Sequence, residues 1–169
     1  MKLPLIITLF LAFLFQIFLL PLYQIGPAGP DFVLLLLLYV ARHDRLRRSL
    51  PLALFSGLLA DALSMDPWGA HAAAYAGAVL FLGQWARDGW RGEPGARIVT
   101  AAAGALVAGA LRLGVLSLVK DSRPLFEITA LASCALYNGF LSLIVFGLLD
   151  PFRSRLFVVP ARLLTVTSS

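Results

Sequence analysis

The chain has 169 residues, 60% hydrophobic and 14% charged, with a mean hydropathy of +0.87. A water-facing domain carries about 25% charged residues, so this composition excludes an ordinary soluble globule and points to one integral membrane domain over 1–169. The net charge of +5 does not mark a nucleic-acid binder, because no basic stripe is interleaved with aromatics and the arginines lie between apolar segments.

The first apolar segment, 4–23, is too long for the h-region of a signal peptide, and no small-x-small site follows it. It reads as a transmembrane helix that stays. Gln16 within it is expected to hydrogen-bond to another helix.

The second and third segments, 31–41 and 51–63, flank the basic stretch RHDRLRR. Both fall well below the ~20 residues that span ~30 Å of hydrocarbon. They read as two short spans, their ends shielded by neighbours or by local thinning, rather than as a re-entrant hairpin or a buried pair, because Arg42, Arg45, Arg47 and Arg48 at the tip require water or headgroups. Leu46 and Leu50 allow the helices to run into the basic stretch.

Asp61, late in the third segment, is the carboxylate that most needs explaining, since a charge at the centre of a membrane helix costs ~2.5–3.5 kcal/mol. Arg112, in the fifth segment at similar depth, is the available buried cation. Two readings remain open: an Asp61–Arg112 ion pair joining the two segments, or a helix-ending residue among outer headgroups.

The fourth and fifth segments, 69–86 and 98–118, carry small-xxx-small spacing at Ala70/Ala74, Ala73/Gly77, Gly104/Ala108 and Ala105/Gly109. That pattern lets helix backbones approach closely, within the chain or against a partner's helix. The sixth segment, 125–149, holds Asn138 midway, expected to hydrogen-bond across helices, and Cys134, expected to be a small buried hydrophobe. The tail, 150–169, is amphipathic in places and belongs at the inner interface or frays.

Lys and Arg orient the chain. With a cytoplasmic N-terminus, eleven fall inside: Lys2, the four of the basic stretch, Arg87, Arg91, Arg97, Arg153, Arg155 and Arg162; Lys120 and Arg123 fall outside. This bias agrees with six crossings and both termini cytoplasmic. No inverted repeat of the secondary-transporter kind is visible. The serines lack a histidine at matching depth, GEPGAR lacks P-loop spacing, and two distant histidines with one cysteine make no zinc set. No enzyme activity, metal or cofactor is expected. His71 reads as an interfacial hydrogen-bonder.

The order of features resembles a known family, the rod shape-determining protein MreD. The resemblance rests on Pro30-Asp31 entering a Leu-rich segment, a basic loop, Gly57-x-x-x-Asp61, and Gly69 at the turn into a small-residue helix. It covers about 30–83 in motif and the whole chain in length and segment layout. It implies an all-α membrane protein: a compact bundle of about six transmembrane helices, two of them short, similar to the substrate-binding subunits of energy-coupling-factor transporters. It also implies a non-enzymatic scaffold beside MreC, the MreB filament and the RodA–transpeptidase pair. Pro30, Asp31, Gly57, Asp61, Gly69, Arg112 and Asn138 are then structural or partner-organising, and the basic loop meets anionic lipid or a cytoplasmic filament. The alternative is a membrane subunit that binds a vitamin or other small molecule, for which the outer-side polar residues Asp66, Trp68, His71, Lys120, Arg123 and Glu127 look sparse.

Overall fold

The computed structural model describes residues 3–23, 29–64, 67–88, 93–118, 124–152 and 156. Six helices account for nearly all of them: α1 Leu3–Tyr23, α2 Phe32–His43, α3 Leu46–Leu63, α4 Ala70–Asp88, α5 Pro94–Ser117 and α6 Pro124–Leu149. A single 3-10 turn, Asp150–Phe152, follows α6. There is no strand among the described residues. Asp66, Arg91, Lys120, Arg123, Arg153, Arg155, Arg162 and the tail beyond Phe152, apart from Leu156, lie outside them, as do the side chains of Arg87 and Glu127.

The architecture is organised around α2. Its sequence, FVLLLLLYVARH, is apolar on every side, which suits a helix enclosed by others. From Val33 to Ala41 no residue is more than 2% exposed. Helices α3, α4, α5 and α6 pack side by side in chain order and each touches α2, while α1 packs on α2 as well. Twelve residues rise ~18 Å, so α2 is a half-height helix buried within the bundle. Neighbouring helices thus shield the short segment 31–41 along its whole length, not only at its ends.

The third helix is also not short. It begins at Leu46 and runs 18 residues, about 27 Å, so the basic loop contracts to Asp44 and Arg45. Arg42 sits on the last turn of α2, where a cation suits the carbonyl end of the helix dipole. Arg47 and Arg48 lie on the first turn of α3, where that dipole opposes them. Asp44 offsets this with a 3.7 Å contact to Arg48 and by accepting the Arg45 N–H at 2.7 Å. Pro51 is the sixth residue of α3, beyond its first turn, so it removes one i→i−4 backbone bond.

Two helices, α5 and the span Ile128–Phe152, are long and apolar enough to cross a membrane by length and composition. Several of the small residues sit at helix contacts, although Ala73 is exposed. A Cβ on Gly57 would lie 2.5 Å from the Ala72 nitrogen and closer still to its Cα, so α3 and α4 meet backbone to backbone there. Gly77, Gly104 and Gly109 similarly receive Leu111, Leu38 and Leu131 from neighbouring helices.

Candidate functional site

The start of α2 lies deep in the bundle, and three helices serve it. Its first backbone N–H groups have no partner within the helix. Asp31, the N-cap, accepts from the Leu34 N–H at 2.9 Å. Gln16 of α1 accepts from the Val33 N–H at 3.1 Å, and Asn138 of α6 accepts from the Asp31 N–H at 2.9 Å. Asn138 is fully buried and its amide donates to the Cys134 carbonyl at 2.9 Å. The Cys134 thiol, partly exposed rather than buried, lies 3.5 Å from the Gly29 carbonyl. The Tyr75 hydroxyl of α4 donates to the Asp31 carboxylate, 3.1 and 3.0 Å from its two oxygens.

A second carboxylate organises the start of α4. Asp61, its side chain 0% exposed, accepts from the N–H groups of Gly69 (2.9 Å), His71 (2.8 Å) and Ala72 (3.3 Å). The His71 ring nitrogen Nδ1 lies 2.9 Å from the same carboxylate. An ionised carboxylate only accepts, so Nδ1 carries a proton and donates it to Asp61. Gly69 holds φ at +93°, a left-handed conformation that favours glycine. Its carbonyl accepts the Ala73 N–H at 2.8 Å, so Gly69 also starts the helix ladder.

The structure shows a role that neither reading of Asp61 named: near the end of α3, it caps α4. The pairing argument used depth alone and left out the backbone donors that open α4.

Beside Asp31 and His71 lies a partly open cavity of about 790 Å³. Phe13, Ile17, Leu34, Leu113 and Leu131 supply apolar wall. Gln16, Asp31, His71, Tyr75 and Arg112 supply polar groups, with Pro30 and Gly29 on the floor. Of the residues singled out from sequence, Pro30, Asp31 and Arg112 line this cavity, Asn138 holds its floor from beneath, and Asp61 with Gly69 fixes the neighbouring turn. Gly57 contributes only the α3–α4 contact.

Arg42, Arg45, Arg47 and Arg48 are absent from this region; they occupy the opposite end. There Asp150 pairs with Arg97 at 2.7 Å and accepts from the Tyr39 hydroxyl at 3.1 Å, tying the ends of α2, α5 and α6. Tyr39 also packs its ring against Phe146 and His43. Sequence reasoning missed Tyr75, Tyr39 and Asp150. A tyrosine inside an apolar segment is a signal of a buried hydroxyl needing an acceptor, yet its partner lies 44 or 111 positions away.

Comparison with protein-family models, with curated proteins and with solved structures finds no match to the chain. The site is thus argued from its own geometry. Its walls combine the Asp31 carboxylate, the His71 imidazole and the Arg112 guanidinium with apolar side chains.

Proposed function

We propose that the chain is a non-enzymatic, multi-pass scaffold of the bacterial inner (cytoplasmic) membrane, of the MreD kind. All six helices belong to one membrane-embedded bundle, with both termini cytoplasmic. The scaffold binds MreC through its transmembrane and periplasmic parts. Through MreC it serves MreB and the RodA–transpeptidase pair indirectly, in lateral peptidoglycan synthesis.

One observation supports this reading most. The motif residues that carry the resemblance sit where helices start or touch: Asp31 opens α2, Asp61 and Gly69 open α4, and Gly57 joins α3 to α4. A protein whose distinguishing residues define helix junctions presents a fixed shape to partners. The described arginines also favour the orientation. Arg42, Arg45, Arg47, Arg48 and Arg97 gather at one end, and Trp68, 75% exposed, lies at the other, where an interfacial indole is at home.

The experiment is depletion of the chain in its own rod-shaped host. Loss of rod shape and of lateral wall incorporation is expected. Rods that elongate normally on depletion contradict the reading.

The cavity favours a second reading, a substrate-binding subunit of a vitamin or small-molecule transporter. Its volume falls within the ~300–1,000 Å³ of small-molecule sites. Tight binding of a radiolabelled vitamin to the purified protein would establish that reading in place of the scaffold.

A further inference from the structure

The start of α3 places arginines at the head of an exposed apolar stripe. Arg45, Arg47 and Arg48 are exposed. Beyond them along the helix the exposed positions are Pro51, Leu54, Phe55, Leu58 and Leu59. These follow at three- and four-residue steps from Arg47 and Arg48, so they share one face of the helix. The opposite face, where Leu52, Ala53, Ser56 and Gly57 are buried, packs on α2 and α4.

Contacts within the chain do not account for this arrangement. The helix dipole opposes cations on a first turn, so local stability does not explain Arg47 and Arg48. Asp44 meets Arg48 at 3.7 Å, but that arginine side chain is 61% exposed, and such surface pairs are worth little. At the same end of the bundle Arg97 is held by Asp150 at 2.7 Å, whereas the four arginines of 42–48 share one carboxylate within that stretch, Asp44. Membrane orientation accounts for cations at this end. It does not require them to head an apolar stripe.

The stripe has the dimensions of a lipid. The rise from Arg48 to Leu58 is ~15 Å, the depth of one leaflet of a ~30 Å hydrocarbon core. A phosphate at the arginines lays its acyl chains beside Leu54, Phe55 and Leu58. A zwitterionic headgroup also brings an ammonium that the arginines repel; an anionic headgroup does not.

We propose that the outward face of α3 is a binding site for one anionic phospholipid, its phosphate among Arg45, Arg47 and Arg48 and its chains along Leu54, Phe55 and Leu58. The proposal rests on the membrane-embedded part of the function proposed above and is independent of MreC.

The experiment places the full chain carrying F55W in phosphatidylethanolamine vesicles that contain phosphatidylglycerol. Either the anionic or the neutral lipid carries brominated chains, which quench an indole that they touch. The chain without F55W supplies the background from its other tryptophans. Position 55 is exposed, so F55W is expected to fold, and an unchanged thermal transition checks this. Each arginine near a membrane surface is worth about fivefold in affinity for anionic lipid. Phosphatidylglycerol is therefore expected to occupy the position beside F55W with a preference of at least about tenfold over phosphatidylethanolamine, and R47Q/R48Q to reduce that preference to about twofold or less. R42Q, on α2 rather than on this face, is expected to reduce it less.

Equal quenching by the two lipids overturns the proposal, and so does a preference that R47Q/R48Q leaves unchanged. Equal quenching together with saturable binding of a polyglutamate peptide to the same arginines assigns the face to an acidic protein instead. Alkaline carbonate extraction of the native membrane separates this proposal from the reading beneath it. A chain that carbonate releases overturns both; a chain that stays in the membrane and shows equal quenching overturns the lipid site alone.

Discussion

Asp61 shows how a buried carboxylate is accommodated largely by backbone donors. Its two oxygens meet three backbone N–H groups and one imidazole, all at the opening of α4. Removing the carboxylate leaves those donors buried, and each buried unsatisfied group costs ~1–3 kcal/mol. D61A should therefore destabilise the protein by more than about 3 kcal/mol. H71A removes one of the four contacts and should cost about 1 kcal/mol. Thermal unfolding in detergent, followed by Trp fluorescence, checks the order. A D61A transition at or above that of H71A would contradict the capping role. At the start of α2, N138L should cost about 1–3 kcal/mol, because the Asp31 N–H loses its acceptor. Asn138 was legible from its position in an apolar segment. Its partner was not, because the two lie 107 positions apart and only the folded arrangement of α2 against α6 brings them together.

At the scale of whole helices, hydropathy marks the apolar segments but not what surrounds them. A run such as VLLLLLYV is equally suited to lipid and to the middle of a bundle. Only its shortness hinted at enclosure, and the same shortness also fitted a thinned span. For α3 the difficulty was reversed. The charges of Arg47 and Arg48 ended the apolar window at 51, although the backbone remains helical back to Leu46. Small-residue spacing was legible as close packing, but whether it faced inward required the neighbours. Gly57 and Gly77 give a test within the protein. A methyl on Gly57 meets the Ala72 backbone, whereas one on Gly77 meets the end of the Leu111 side chain, which can rotate away. G57A should cost about 2–3 kcal/mol, in the range of overpacked cores, and G77A less than about 1 kcal/mol. Equal transition temperatures for the two variants would mean that α3 and α4 are not in backbone contact.

For the whole molecule, the two ends of the bundle differ in character. One carries Arg42, Arg45, Arg47, Arg48 and the Arg97–Asp150 pair; the other opens the cavity beside Asp31, His71 and Arg112. In the topology proposed here, the positive-inside bias orients the basic end to the cytoplasm. On a C134S background, R45C should be labelled by an impermeant thiol reagent only after the membrane is opened, and W68C in intact spheroplasts. The reverse pattern would invert the orientation. Neutralising the four arginines together should leave partner recruitment intact if they serve only the lipid surface. The central claim is that this rigid bundle is a scaffold for MreC. Its most direct test is co-purification of the tagged full chain from its native membrane, with MreC measured by quantitative mass spectrometry. The account predicts a stoichiometric MreC complex that survives detergent. A chain recovered free of MreC while binding a vitamin tightly would contradict it.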